Sequence, residues 1–435
     1  MNLLYLHTHD MGRYNQLYGF ASRTPAFQSI ANDGMLFRNA HCAQPTCSPS
    51  RAALLTGRYP HSNGMTGLAH RGSTLDDNTQ HLSVFLRDRG YTTALFGIQH
   101  EAANPEDLGY STINIGKSAD SRGGRDAIAA EAAVDYINNY QDKAPFFMAV
   151  GFHAPHRPFI HDLGDINPNY VQPPSCVPDT SETRLDYAKY LADLEYADAC
   201  AAKVIRALKA NGLYDNTLIL LTCDHGIAFP YMKCNLYDTG TGVTLALKIP
   251  GYAGGKATDA LVSQIDVFPT LCELLDIEKP GWLQGKSLLP ILKEEAQQVN
   301  DAIFTEITFH ASPEAMRAVR TQRYKYIKRY SDFMTPILPN VDNGGTKEFM
   351  IAHGFREMVQ AREALYDLYL DPTERNNLVS EPECEDLLTA MRRRLTAWMQ
   401  ETDDALLKGD YPPPTGAKHN PLTNYGPNKD EYIQY

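Results

Sequence analysis

Four apolar segments of this chain each run directly into polar residues of the kinds that ligate metals or move protons. Residues 2–6 lead into His7-Thr8-His9-Asp10 and residues 91–97 into Gln99-His100. Residues 145–150 lead into His153-Ala154-Pro155-His156-Arg157, and residues 217–222 into Cys223-Asp224-His225. Short apolar runs of this length read as buried strands. Segments with helical spacing at 24–32, 82–89, 127–140 and 182–211 lie among them. Alternating strands and helices fold as a mainly parallel or mixed sheet covered on both faces. In such sheets sites form outside the carboxyl ends of the strands. Four clusters at four strand ends therefore predict one shared site, because the coincidence is hard to obtain by chance.

With 435 residues the chain has room for one large unit and a smaller one. We expect an α/β catalytic unit over 1–300, an α+β unit over 301–408, where short strands and one helix follow one another, and an extended tail over 409–435. The net charge of −12, with no long basic run, argues against nucleic acid or an anionic membrane surface as a partner. None of the eight cysteines forms a C-x-x-C pair, so disulfides are not required. The first apolar stretch is too short for a signal peptide and no run reaches transmembrane length. The expected location is cytoplasmic unless an export signal has been removed, and a homo-oligomer is left open.

Two constellations carry chemistry. Cys47-Ser48-Pro49-Ser50-Arg51, followed by the apolar run through Leu55 and then Thr56-Gly57, reads as a helix start with Cys47 at its positive end. Arg51 adds to that anion-attracting environment. His9-Asp10 and Asp224-His225 supply carboxylate oxygens and imidazole nitrogens suited to a divalent cation.

The string C-x-P-S-R-x-x-L-L-T-G over 47–57 resembles the signature of type I sulfatases, whose cysteine is converted to formylglycine. The likeness extends over most of the chain, through Phe37-Arg38-Asn39-Ala40, Asn63-Gly64-Met65, Phe152-His153-Ala154-Pro155, Gly226-Ile227-Ala228-Phe229-Pro230 and Leu365-Tyr366-Asp367-Leu368. Within the family it is nearest to the N-sulfoglucosamine sulfohydrolases. The resemblance implies an alkaline-phosphatase-like mixed sheet sandwiched by helices. It also implies a metal, calcium before manganese, magnesium or zinc, on His9, Asp10, Cys47, Asp224 and His225. His9 departs from the family, which usually has aspartate there.

By the same resemblance Arg51 steadies the formylglycine hydrate, His100 acts as base, His153 contacts the sulfate and protonates the leaving atom, and Lys233 binds sulfate. His156, Arg157, Met316 and Arg317 are assigned to the substrate. A sulfo group would pass to the hydrate and leave as sulfate when the aldehyde re-forms. A second family cation is missing, because Ile98 stands where the motif has lysine. The expected substrate is a small sulfated saccharide, foremost N-sulfated glucosamine of heparin or heparan sulfate. The expected maturation partner is a formylglycine-generating or anaerobic sulfatase-maturating enzyme. Two alternatives stand beside this: a phosphonate monoester or phosphodiester hydrolase with the same nucleophile, and an inactive sugar-binding protein with unmodified Cys47.

Overall fold

The computed structural model of the protein describes residues 1–116, 124–141, 143–409, 413–414, 416–428 and 430–434. Its larger sheet has eight strands: β1 (Asn2–Thr8), β2 (Met35–His41), β3 (Thr92–Gly97), β4 (Thr112–Asn114), β5 (Phe146–Phe152), β6 (Thr217–Cys223), β7 (Leu245–Lys248) and β8 (Lys256–Ser263). Their order is β4-β3-β5-β1-β6-β7-β2-β8. Strand β7 runs against both its neighbours and the other pairs are parallel. Every residue of β1, β5 and β6 is buried, as central strands covered on both faces require.

The register brings the four strand ends level. Thr8 lies opposite both Phe152 and Cys223, and Gly97 lies opposite Gly151. The backbones meet closely at this edge. Gly97 has φ +81, and a Cβ there would come within 2.1 Å of the Gly151 carbonyl oxygen. Only glycine fits both the angle and the space.

Helices cover the two faces. The longest, Ser181–Ala210, begins with a capping box between Thr180 and Thr183. Midway along it, Asp198 accepts the backbone N–H groups of Ala26 and Phe27 and so caps the start of the Pro25–Asn32 helix.

The smaller sheet is antiparallel, with order β12-β11-β10-β9 for β9 (Ile303–Phe309), β10 (Pro313–Arg320), β11 (Tyr324–Arg329) and β12 (Glu363–Asp367). The Glu385–Glu401 helix lays Leu388, Met391, Leu395 and Trp398 on it, and the same apolar cluster takes in Ala43, Ala53, Tyr59 and Ile265. The core is thus continuous across position 300. Of the expected tail, positions 410–412, 415, 429 and 435 lie outside the described residues. In the rest, β13 (Lys418–His419) pairs with β14 (Ile433–Gln434), and the His419 ring stacks on Phe309 at 4.9 Å.

Candidate active site

The Cys47–Thr56 helix is wholly buried and docks by two side chains against the end of β6. Ser50 donates to the Asp224 carbonyl oxygen at 2.5 Å. Arg51 Nη2 donates to Asp224 Oδ2 and to the Thr8 carbonyl oxygen, both at 3.0 Å, and its Nη1 meets His7 Nδ1. These bonds fix the first turn of the helix, and Cys47 with it, between β1 and β6. Cys47 Sγ lies 3.5 Å from His225 Nε2.

Asp10 and Asp224 face each other across the strand ends. Asp10 has φ +45, in the left-handed region that few residues other than glycine, asparagine and aspartate enter, and its N–H donates to Asp224 Oδ1 at 2.8 Å. His225 Nε2 is 3.4 Å from Asp10 Oδ1 and 3.6 Å from Asp224 Oδ2, and His9 Nδ1 is 3.0 Å from Asp224 Oδ2. Burial alone would raise the Asp224 carboxyl, but His225, Arg51 and His9 around it overcome that and hold it well below the usual carboxylate range. Burial, reinforced by Arg51, drives the His9 and His100 rings to their neutral forms.

Ligand-type atoms of Asp10, Cys47, Asp224 and His225 all lie within 4.8 Å of one another, as do those of His9, Asp10, Cys47 and His156. The buried Asp10 Oδ1 and His9 Nε2 have no hydrogen-bond partner among the described residues. Orphaned acceptors at such a depth are costly unless a cation meets them. The donor set therefore fits a divalent ion.

On the other side of Asp10, Lys233 Nζ lies 3.1 Å from Asp10 Oδ2, 3.3 Å from Asp342 Oδ2 and 3.4 Å from His156 Nε2. Burial opposes its charge, yet the two carboxylates keep it protonated well above the ordinary lysine range. The His153 ring is 4.9 Å from His156 and 5.7 Å from His9, and His9 is 4.8 Å from His100. Asp126 holds the exit of β5 by accepting the N–H groups of His153 and Ala154 at 2.7 and 2.8 Å.

Three expected substrate residues stand elsewhere. Arg157 spends its guanidinium on a bidentate pair with Asp186 (2.8 and 2.7 Å) and on the Ala228 carbonyl oxygen, packed over Phe159 and Phe229. Arg317 is fully buried in β10, paired with Asp404 and 3.5 Å from Glu306. Met316 packs with Leu236, Ile307 and Ile327. The expectation that these three contact the substrate is corrected to structural roles, because both guanidinium groups are engaged and Met316 is covered by apolar neighbours.

The sequence reading also missed participants. His7 carried a signal, sitting two residues before His9 on a strand end. Asp342 and Asp126 carried none, since each comes from a segment remote from the motifs.

The model of the sulfatase family matches residues 1–277, and that of the N-sulphoglucosamine sulphohydrolase C-terminal region matches 225–343. Human N-sulphoglucosamine sulphohydrolase is 29% identical over 458 residues, covering 91% of this chain and 88% of its own. A solved structure in complex with its substrate D-glucosamine-2-N,6-O-disulfate superposes with TM-score 0.77 at 20% identity, over 93% of this chain and 98% of the other. The phosphonate monoester hydrolase of Agrobacterium radiobacter does so with TM-score 0.72 at 20% identity, over 100% and 99%. At these identities the two structures speak for the fold.

Proposed function

The chain belongs to the sulfatase family, and from that premise we propose that it hydrolyses a sulfamate or sulfate ester of glucosamine, foremost N-sulfoglucosamine of heparin or heparan sulfate. What carries the reading is the placement of Cys47 against His225, Asp10 and Asp224 at one sheet edge, with Lys233 beside them. Burial pushes the Cys47 thiol far up, so unmodified Cys47 holds almost no thiolate at neutral pH and makes a poor nucleophile. Oxidation of Cys47 to formylglycine by a maturation enzyme supplies an aldehyde hydrate in its place.

Asp10, Asp224 and His225, with His9, would hold the metal, which when bound supplies Lewis-acid polarisation and positive charge. Calcium is the ion we propose on family grounds, and the imidazoles make manganese, magnesium and zinc its competitors. Asp10, Asp224 and Asp342 carry one more charge than Arg51 and Lys233 neutralise. A divalent ion reverses that sign and makes the site attractive to an anion. Arg51 orients the Cys47 turn through Asp224 and Thr8. Lys233 sets its positive charge beside the place of the sulfo group. The neutral His100 ring can take a proton, and His153 can give one to the departing nitrogen or oxygen.

Mass spectrometry of the Cys47 peptide from the native host tests the nucleophile, and an unmodified thiol there would sink it. Turnover of N-sulfoglucosamine, a 6-O-sulfated glucosamine and a phosphodiester by the matured protein tests the reaction class. We expect the sulfated sugars to be cleaved fastest. Faster cleavage of the phosphodiester would move the protein to the phosphonate and phosphodiester hydrolases.

A further inference from the structure

Beside the reaction centre lies a cavity of about 300 Å³ whose wall includes His100 and His153 but not Cys47, Asp10, Asp224 or Lys233. Much of its lining is apolar: Ile98, Ala102, Ala103 and Pro105 among them. The one arginine or lysine on the wall is Arg125, the first residue of the Arg125–Asn138 helix. Arg125 is exposed at the rim of this cavity, and among the described residues no hydrogen-bond or ion-pair partner engages its guanidinium. The neighbouring carboxylate, Asp126, spends both oxygens on backbone N–H groups. The exit of strand β3 brings Gly97, Ile98, Gln99 and His100 to this wall but no lysine or arginine, so a permanent positive charge reaches it only from the helix that carries Arg125.

A planar, unspent guanidinium at the rim of a small, partly apolar recess can grip a sulfate or carboxylate through two parallel N–H donors. The reacting sulfo group belongs at Cys47 and Lys233, outside this recess. We propose that Arg125 forms an anion subsite for a second charged substituent of the sugar, so the preferred substrate carries two anionic groups. This rests on the sulfatase reading of the neighbouring centre and names the substrate class within it. The anion is either a second sulfo group on the same glucosamine or the carboxylate of a linked uronic acid.

Calorimetric titration of Cys47→Ala protein, which cannot turn over, separates these. The probes are glucosamine N-sulfate, glucosamine N,6-O-disulfate and an N-sulfoglucosamine–uronate disaccharide. Arg125→Ala should weaken one or both doubly charged probes by roughly ten- to a hundredfold, the scale of a lost charge-assisted contact. The singly sulfated probe should shift by about twofold or less, and Arg125→Lys should restore part of the loss. Selective loss on the disulfate identifies a sulfo group as the occupant, and selective loss on the disaccharide a carboxylate. Equal loss on all three probes, no loss on any, or no binding at all would overturn the subsite. Hydrolysis by matured wild-type protein is measured separately. Its absence would sink the sulfatase reading, whereas lost discrimination in binding would sink only the subsite.

Discussion

Arg157 and Lys233 are both buried cations flanked by carboxylates, yet they differ in where their charge stands. Arg157 has its fork filled by Asp186 and the Ala228 carbonyl. Lys233 sits among Asp10, Asp342 and His156 at the site itself. Removing either cation strands a buried carboxylate, which costs about 3–5 kcal/mol. Arg157→Ala should therefore lower the urea midpoint substantially and leave KM of the folded protein unchanged. Lys233→Met should lower stability similarly and also reduce kcat/KM by about a hundredfold, as removal of a transition-state charge partner does. A raised KM in Arg157→Ala would return that residue to the substrate. The paired stability and kinetic measurements make the distinction.

At the level of elements, the site depends on how β5 leaves the sheet, and Asp126 at the start of the Arg125–Asn138 helix governs that exit. Burial raises its carboxyl from 3.8 to about 6, against the pull of the Ala154 and His153 N–H groups. A carboxyl with a raised folded pKa contributes stability that is fully present below about pH 4 and lost as pH rises through about 6. Relative to Asp126→Asn, which does not titrate, the wild type should lose up to about 3 kcal/mol between pH 4 and pH 7. Urea midpoints of both proteins at the two pH values check this, and a difference that does not change with pH would refute it.

Much of this level was legible in the sequence. Strands β1, β3, β5 and β6 announce themselves as apolar runs, and because they are parallel their polar followers had to meet. Strand β4 has only three residues, and β8 begins with exposed Ala257 and Asp259, so neither carries a core-strand pattern. The turn at 321–323, where Thr321 and Tyr324 exchange hydrogen bonds, separates β10 from β11 with no glycine or proline to announce it. Asp342 was illegible because loops, not periodic segments, carry it to Lys233.

For the whole molecule the question is whether 1–300 and the remainder are separable, as the change in sequence character near position 300 suggests. Charges tie them together. Asp238 pairs with Arg320 at 2.9 Å and with Lys325 at 2.5 Å, and Lys325 in turn holds the buried Glu374. His61 pairs with Glu306, Asp186 accepts from Thr346, and Lys233 reaches Asp342. Apolar contacts follow the same course, with Tyr59 edge-on to Trp398 at 4.9 Å. Cutting at 300 would strand several buried ionic groups, each worth about 3–5 kcal/mol when its partner is lost. The whole stability of a folded protein is about 5–15 kcal/mol. Residues 1–300 expressed alone should therefore fail to fold, showing no cooperative thermal transition by circular dichroism and rapid cleavage in limited proteolysis. Co-expression of 301–435 as a separate chain should recover protected material, because the missing partners are supplied in trans. A soluble, protease-resistant 1–300 fragment with a sharp melting transition would mean that the crossing ion pairs contribute little, and that the catalytic unit is autonomous.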